Sequence, residues 1–490
     1  MSDAFDPEQP KVDRPEGWPL YRIRIAVSLG ILLGAIDGGI IAPILPAISR
    51  ELGAGAGGLS WLASGYFLGT ALAAPVWGGI GDSRGHSFVV TMGLLILTVS
   101  TIACAATGIV SQELTILSND LQFAASRFAQ GIGSAAIFTG GFALLSETAS
   151  ARRRVRSSGL FSGVFAISTM IGPVAAGMVS DHAHYTLGGV EIAGWRFVFI
   201  AQLPVALLAL LLMPMRPPRS SPAKGRFDYF GLGLVALIAI LCMSLVSRTR
   251  SVEGGLLILA TVAGIAIGLA ALVRVERRAE RPLLPPDLLA VDAVRNSCLA
   301  AAMTAGALTC FGLSIPGSLQ AGAGLSAAGS GAFMAALSFG YFVGTVVNGR
   351  VVGRTGRARE ASLFWAGLCL LALGFLAVQP PGERNLLFII LFVIGVGFGP
   401  LQPMQFIMMQ LAVPDNRQGT AAGMLNFFRR LGAWAGGAIG GLVLAHNLNK
   451  APGSIAGEQW PYVLPSILCI LFLVANIACI WRFSRDRIPD

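Results

Sequence analysis

Long apolar runs separated by short polar links dominate this sequence. Fourteen of the runs reach or approach the roughly 20 residues that a helix needs to cross the hydrocarbon core of a bilayer. The pattern predicts an all-α integral membrane protein with fourteen transmembrane helices. The predicted spans are 25–46, 59–80, 88–110, 121–146, 158–180, 195–213, 229–247, 254–273, 297–319, 327–347, 361–378, 386–411, 419–445 and 461–481.

Parts of the chain repeat. The glycine-containing link at residues 78–86 returns at residues 349–357, each time between two long apolar runs. A second set of glycines recurs 260 residues later, and its members are Gly159, Gly163, Gly172 and Gly177. Internal duplication of a spanning unit is typical of transporters whose substrate site lies between two halves that rock against each other.

The repeats define the expected domain organisation. Spans one to six and nine to fourteen form the two copies, and because six is even, both copies enter the membrane from the same side. Spans seven and eight are an inserted pair. The predicted parts are a cytoplasmic N-terminal segment (1–24), a six-helix bundle (25–215), linkers with the inserted pair (216–296), a second six-helix bundle (297–482) and a cytoplasmic tail (483–490).

Composition excludes a soluble protein. Of the 490 residues, 54% are apolar and only 12% are charged, and the mean hydropathy is +0.71, whereas about a quarter of the residues of a soluble domain carry charge. The seven cysteines fall within predicted spans at no metal-binding spacing. We therefore expect them to be small apolar side chains, with no disulfide framework, no metal and no cofactor.

The net charge of +10 reflects membrane orientation. Lysine and arginine are scattered through short links rather than gathered on one surface, which argues against nucleic acid as a partner. With residue 1 inside the cell, 26 of the 35 basic residues lie on the inner side and 5 on the outer side. This asymmetry predicts cytoplasmic termini in the inner or plasma membrane. The first 21 residues lack a signal-peptide pattern, so we expect the first span to remain.

Asp37 is the one carboxylate that lies far from either end of a predicted span. A charge at this depth is costly and normally faces a cavity or a partner. At the helical rise of 1.5 Å per residue, Asp37 and Arg127 lie at the same depth in spans one and four. Three interpretations remain open: a proton-linked pair, a static ion pair that holds the two spans together, and no contact.

Other polar and small residues within or beside spans are candidates for gating. Gly163, Gly172, Pro173 and Gly177 place small residues on one face of span five, which suits either gating or ordinary close packing. Asp82, Arg84 and Glu147, with the arginines at 152–154, form either an inner gate of ion pairs or ordinary positive-inside charge.

Candidate substrate contacts concentrate in the second half. Gln402, Gln405 and Asn426 line a predicted cavity or make interhelical hydrogen bonds, and the segment 395–403 is expected to be kinked by its glycines and prolines. Gln130 in span four is a further candidate. The possible aromatic walls, for each of which a lipid-facing role is equally open, are Trp61, Tyr66, Phe142, Phe311 and Tyr341.

These motifs together resemble the major facilitator superfamily, and specifically its fourteen-span drug:proton antiporters of the EmrB/QacA type. The link at 78–86 is similar to the superfamily loop between spans two and three, although His86 replaces the usual basic residue. The segment 127–136 is similar to the span-four motif whose arginine is implicated in proton transfer, and 163–177 to the antiporter motif of span five. Asp37, followed by Pro46, is similar to the span-one motif.

The resemblance implies a proton-coupled antiporter, not an enzyme, that exports small amphipathic compounds or drugs by alternating access. A lipid or metabolite exporter and an uncoupled facilitator are the alternatives. The expected partners are a small-molecule substrate, protons and the bilayer; a periplasmic adaptor is left open, and a monomer is expected. Because one buried acid faces three basic residues, neutral, monocationic or anionic substrates are favoured over dications. Those residues are Arg127, Arg429 and Arg430.

Overall fold

The chain is described from a computed structural model. It covers residues 18–109, 118–147, 167–181, 185–187, 190–214, 228–248, 255–280, 282, 284–378, 384–414, 417–448 and 460–482.

Helices account for nearly all of the described residues, and ten helical stretches are long and apolar enough to cross a membrane. Helices also occupy the other four predicted positions, as α4, α5, α8 and α16. The helices are α1 (Trp18–Leu52), α2 (Ala56–Arg84), α3 (His86–Ala106), α4 (Asn119–Glu147), α5 (167–181), α6 (Gly194–Ile200), α7 (Leu203–Leu212), α8 (Tyr229–Arg248), α9 (Gly255–Glu276), α10 (Pro286–Ala290), α11 (Asp292–Ala323), α12 (Ala327–Thr355), α13 (Ala358–Val378), α14 (Arg384–Phe398), α15 (Leu401–Leu411), α16 (Gln418–Leu448) and α17 (Trp460–Trp481).

One element departs from the all-α prediction. Strands β1 (Tyr185–Leu187) and β2 (Val190–Ile192) pair antiparallel in the link between α5 and α6. Each strand is rich in residues with high β-propensity, and the two residues that separate them in the sequence are both glycines, a common hairpin signal. The all-α fold class is confirmed, and this short hairpin is an addition in a link that the pattern of long apolar runs did not reveal.

Two of the predicted spans are each made of two helices. The stretch around 195–213 is interrupted between α6 and α7 at Ala201 and Gln202, just before Pro204. The stretch around 386–411 is interrupted between α14 and α15 at Gly399 and Pro400. Proline lacks the N–H that would continue the helical ladder. The predicted kink within 395–403 is confirmed.

The structure preserves the internal repeat. Helices α2 and α12 both have 29 residues, and α3 and α13 both have 21. Gly53 and Gly324, after α1 and α11, have φ of 65° and 60°, and Gly85 and Gly356, after α2 and α12, have φ of 91° and 66°. Both pairs are 271 residues apart. Positive φ favours glycine, so glycine ends the corresponding helices in both copies, although ψ is 145° at Gly85 and 3° at Gly356.

Helix crossings repeat as well. A Cβ atom on Gly131 of α4 would lie 2.1 Å from the main-chain oxygen of Tyr66 in α2. In the second copy, a Cβ on Gly399 would lie 2.1 Å from the main-chain oxygen of Tyr341 in α12. Both helix pairs approach so closely that only glycine fits. Gly395 repeats the contacts of Gly131 most closely, since its Cβ would lie 2.0 Å from the main-chain oxygen of Leu337 and 2.9 Å from the main-chain nitrogen of Tyr341. The counterpart of Tyr66 at the 271-residue offset is therefore Leu337.

The inserted pair packs outside the two copies. Helix α8 contacts α9, α2 and α16, and α2 and α16 themselves pack against each other across the seam between the copies. Leu68 and Leu72 of α2, Val235 and Ala239 of α8, and Phe427 of α16 share one apolar cluster. The insertion thus covers the seam between α2 and α16.

A buried polar cluster joins the ends of three helices in the first copy. Arg196, at the start of α6, forms an ion pair with Glu51 at the end of α1, with 2.6 Å between Nη2 and Oε1. Its Nη1 donates to the main-chain oxygens of Ala105 and Thr107 at the end of α3. The indole of Trp195 donates to the other Glu51 oxygen. One guanidinium thereby caps α3 and ties it to α1.

We expect Arg196→Ala to lower thermal stability markedly, because two buried helix-end carbonyls lose their charged donor, at about 1–3 kcal/mol each. The Glu51 side chain is 36% exposed and keeps its bond from Trp195, so the lost ion pair itself adds less than about 1 kcal/mol. Arg295→Ala is the matched control, since it breaks the exposed Arg295–Asp292 pair and should cost less than about 1 kcal/mol. The midpoint of thermal unfolding in detergent measures both. Equal shifts would contradict a structural role for the Arg196 cluster.

Candidate functional site

The structure brings Asp37 and Arg127 together in the interior of the first copy. Asp37 Oδ1 in α1 lies 3.8 Å from Arg127 Nη1 in α4, and both side chains are fully buried. The interpretation without contact is therefore excluded. A proton-linked pair and a static pair both fit this geometry.

The hydrogen bonds of Arg127 do not go to the carboxylate. Its Nη1 donates to Gln130 Oε1 at 2.7 Å, and its Nη2 donates to the main-chain oxygen of Asp37 at 2.8 Å. Neither carboxylate oxygen of Asp37 has a hydrogen-bond partner among the described residues. The acid and the base thus attract each other without a hydrogen bond. A proton could join Asp37 here without breaking one.

Gln130 holds the guanidinium from α4 and is itself held by α3. Its amide nitrogen donates to Thr101 Oγ1 at 2.9 Å, and the Thr101 hydroxyl donates to the main-chain oxygen of Leu97. Gln130 is fully buried. It therefore positions Arg127 and, in this structure, does not line an open cavity as proposed from the sequence.

The ring of Tyr66 packs against the Arg127 guanidinium. The Arg127 guanidinium lies 4.7 Å from the centre of its ring, within range of a cation–π interaction. The Tyr66 hydroxyl donates to the main-chain oxygen of Gly34 at 2.7 Å, which leaves Ser134 as the donor in its second 2.7 Å contact. Sequence reasoning listed Tyr66 only as a possible cavity wall, because helical spacing alone does not reveal which face α2 turns toward α4.

Gln202 is a polar residue that the sequence analysis missed. It lies buried at the break between α6 and α7, where its amide donates weakly to the main-chain oxygen of Val198 at 3.3 Å. Its carboxamide also lies beside the Asp37 carboxyl group, although the two form no well-aligned hydrogen bond. A glutamine two residues before a proline within an apolar run was the available signal.

The polar residues of the second copy divide into two groups. Gln405 is buried and donates to Thr304 Oγ1 at 2.7 Å, and Asn476 donates to the same oxygen at 2.7 Å. Gln405 therefore makes the interhelical hydrogen bond that was the alternative to a substrate contact. Asn426 is exposed, and Gln402 is half-buried. These two remain candidates for the cavity.

The family follows from the sequence. A match to the Major Facilitator Superfamily runs from residue 27 to residue 437, from the first turns of α1 into α16. The chain belongs to the Major Facilitator Superfamily. It is accordingly a multi-pass protein of the inner or plasma membrane.

Individual relatives agree with this assignment. An MFS-type transporter of Mycobacterium tuberculosis strain H37Rv, described as uncharacterized, is 28% identical over 435 residues. Those residues are 88% of this chain, which spans only 60% of the length of that relative. The drug efflux pump JefA of the same bacterium is 28% identical over 453 residues, with 90% of this chain and 84% of the pump covered.

A solved structure supports the fold. The bacterial homolog of the human lysosomal transporter Spinster, in its inward-facing and unoccupied conformation, superposes with a TM-score of 0.67 over 97% of this chain and all of that one. The two sequences are 14% identical. This likeness therefore establishes the superfamily fold and nothing about the substrate.

In this superfamily member, the two copies meet directly at the end that contains the turn between α1 and α2. A Cβ on Gly177 of α5 would lie 2.3 Å from the main-chain oxygen of Ala327 in α12, and a Cβ on Gly331 would lie 2.5 Å from that of Pro173. Gly172 packs against Ile36 of α1 at ordinary contact distance. Gly177 and Pro173 thus pack across the seam, whereas Gly172 packs within the first copy. Gly163 lies outside the described residues.

Asp181 forms a charged link across this seam. As the last described residue of α5, it accepts the N–H of Ala327 at 2.9 Å and that of Ala328 at 2.7 Å, at the start of α12. Beside it, Gln320 of α11 donates to the main-chain oxygen of Pro43 in α1 at 2.7 Å. A carboxylate at a helix N-terminus is favourable. Sequence reasoning did not single out Asp181 because the contact joins residues 146 positions apart.

The predicted charged gate lies at the opposite end. The side chains of Asp82 and Glu147, and all of residues 152–154, are outside the described part of the chain. Arg84 is exposed, and its guanidinium lies 5.7 Å from the ring centre of Phe88. The gate of ion pairs stays a prediction.

We expect Asp181→Ala to increase the fraction of molecules in which the two copies separate at the end that contains Asp181, because two N–H groups at the start of α12 lose a charged acceptor. If the closed form loses about 1 kcal/mol of stability, the ratio of open to closed molecules changes about fivefold. The measurement is the rate at which a thiol reagent labels a cysteine placed at buried Ser60, in a variant without the native cysteines. Asp292→Ala, which removes an exposed carboxylate at the start of α11, should leave the rate unchanged. An unchanged rate in Asp181→Ala would contradict the link.

Proposed function

We propose that this transporter is a proton-coupled exporter of small amphipathic compounds or drugs, and that it works as an antiporter by alternating access. The observation that carries the proposal is the buried Asp37–Arg127 pair, in which the carboxylate is free of hydrogen bonds from the described residues. The printed name of the relative JefA, a drug efflux pump, supports the direction and class of transport.

The proposal includes an architecture finer than the superfamily fold. Fourteen spans of the EmrB/QacA type would form a first bundle at 25–215, an inserted pair within 216–296 and a second bundle at 297–482, with cytoplasmic termini. Ten apolar stretches and four further helices at the predicted positions support the number. The distribution of basic residues supports the orientation. The closed end with Asp181 would then face outward.

Protonation of Asp37 would change the charge balance of a site that is isolated from water. With Asp37 ionised, the neighbouring guanidinium balances its charge. With Asp37 neutral, Arg127 keeps its hydrogen bonds to Gln130 and to the Asp37 main chain, but its charge has no counter-ion. An uncompensated buried charge is costly. The protonated protein would therefore favour a conformation in which water reaches the pair, and this differential stability couples the proton to the change of face.

The membrane potential supplies enough energy for such coupling. Each proton that moves inward through 100 mV releases about 2.3 kcal/mol. One or two protons per cycle would thus support outward accumulation of a substrate. We expect the protein to work as a monomer, with or without a periplasmic adaptor.

Asp37→Asn should abolish substrate-induced proton movement, to less than about a tenth of the wild-type signal, because the amide cannot take up or release a proton. The assay uses everted vesicles and a panel of cationic, neutral and anionic compounds, and scores the compound with the largest wild-type signal. Exchange of that compound between equal concentrations on both sides should persist in Asp37→Asn, which shows that the variant is folded.

Asp292→Asn is the matched control, because Asp292 is an exposed carboxylate at the start of α11, and it should move protons like the wild type. Unchanged proton movement in Asp37→Asn would reject the coupling role of Asp37. Transport of a panel compound by the wild type without any proton movement would instead favour the uncoupled facilitator.

A further inference from the structure

Two adjacent arginines lie in the middle of α16. Arg429 and Arg430 are more than two turns from either end of this 31-residue helix, at positions where charge is strongly disfavoured unless it faces a cavity or a partner. Among the described residues, neither forms an ion pair with a carboxylate. Arg429 donates to Asn426 Oδ1 at 3.2 Å. The two charges are thus unbalanced by their described surroundings.

The arginines lie between the two copies, each near a tyrosine. Arg430 reaches into the first copy, with its guanidinium 5.3 Å from the ring centre of Phe138 and close enough to Tyr66 to interact electrostatically. Arg429 lies within electrostatic range of Tyr341 of the second copy. The pair is therefore placed where a molecule bound between the copies would meet both.

Open space adjoins the arginines. Both side chains are half-buried, and Asn426, one turn away, is exposed. At Gly423, two turns from Arg430 on the same helix, an added Cβ would meet no atom within 4 Å. A ligand can reach the guanidinium groups without displacing a packed side chain at these positions.

The charge balance selects the kind of ligand. Away from the helix ends, the described spans of the two copies carry one carboxylate, Asp37, and three guanidinium groups, those of Arg127, Arg429 and Arg430. The buried Arg196 lies at a helix end and is balanced by Glu51. A cationic ligand would increase this positive excess, whereas an anionic one would reduce it. Guanidinium groups bind carboxylate, sulfonate and phosphate groups through paired hydrogen bonds, which adds geometric specificity.

We propose that Arg429 and Arg430 bind the anionic group of the substrate, an organic anion with an apolar body, and that the rings of Phe138 and Tyr341 contact this body. The proposal rests on the exporter function proposed above, because it assigns the substrate class of the same transporter. The proposed site also predicts how the charge of Asp37 affects anion binding. An ionised Asp37 repels an anion, so removing the charge of Asp37 should leave anion binding unchanged or strengthen it.

The repulsion between an ionised Asp37 and the anion has a consequence for coupling. Because protonation of Asp37 removes this repulsion, Coulomb forces alone do not make the anion and the proton compete for the transporter. Exchange would require that the anion and the proton stabilise opposite faces of the protein. Outward movement of the anion is also favoured by a membrane potential that is negative inside.

The test is equilibrium binding to protein in nanodiscs of zwitterionic lipid, without any gradient. The probes are naphthalene-2-sulfonate and a naphthyl trimethylammonium of similar size. We expect the sulfonate to bind at least tenfold more tightly than the cation, and the double variant R429Q/R430Q to lose at least tenfold of the sulfonate affinity. R354Q/R357Q removes two exposed arginines and should bind like the wild type. R429K/R430K, which keeps the charges, should retain part of the affinity and serves as the folding control.

Tighter binding of the cation, or equal sulfonate binding by R429Q/R430Q and R354Q/R357Q, would overturn the proposal. So would a large loss of sulfonate binding in D37N. Competition by phosphatidylglycerol added to the nanodiscs would identify the anion as a lipid headgroup, and its absence would identify a free organic anion; both support the site. Because binding is measured without proton flow, its outcome is independent of the proton assay that tests the exporter function.

Discussion

The proposed transport cycle depends on one interaction, the attraction between a buried carboxylate and a buried guanidinium that share no hydrogen bond. Neither charge can be left alone in a medium without water, so Asp37 and Arg127 constrain how α1 and α4 pack. Most of the surrounding groups contact the guanidinium rather than the carboxylate. Gln130, the ring of Tyr66 and the main chain of Asp37 all hold the guanidinium. The carboxylate is therefore the member of the pair that can change its charge with the least local rearrangement.

The duplicated architecture gives this local change a route to the whole molecule. Each copy is compacted by helix crossings in which only glycine fits, and the copies meet across seams that also rely on backbone contact. Surfaces that pack this closely fit in one arrangement or separate, with little scope for intermediate shapes. In the proposed cycle, a change of charge at the pair inside one rigid half shifts the balance between two arrangements of the halves, as alternating access requires.

Much of the fold could be predicted from the sequence because membrane burial imposes a simple pattern. Apolar runs predicted the helices. The 271-residue repeat predicted the two copies, including the paired glycines Gly85 and Gly356, which both have positive φ. The shared depth of Asp37 and Arg127 followed from the fixed rise of a helix. Hydropathy could not reveal the short β-hairpin, whose strands bury no long apolar surface.

The detailed contacts of the site could not be predicted from the sequence, for a different reason. Whether Arg127 donates to the Asp37 carboxylate or to its main chain depends on side-chain rotamers. The roles of Tyr66, Gln202 and Asp181 depend on which helix faces meet, and one sequence does not specify that. Gln405 illustrates the same limit, since a glutamine in a span can line a cavity or, as here, bond to Thr304 of a neighbouring helix.

Infrared difference spectroscopy of aspartate carboxyl groups tests the central claim most directly. In protein labelled with ¹³C-aspartate, lowering the pH should produce a carbonyl band of a protonated carboxyl group in a dry environment, absent from Asp37→Asn and altered in Arg127→Gln. Addition of a transported compound should change the intensity of that band. A spectrum in which wild type and Asp37→Asn titrate identically would show that Asp37 exchanges no proton, and the pair would then be a static connection between two helices.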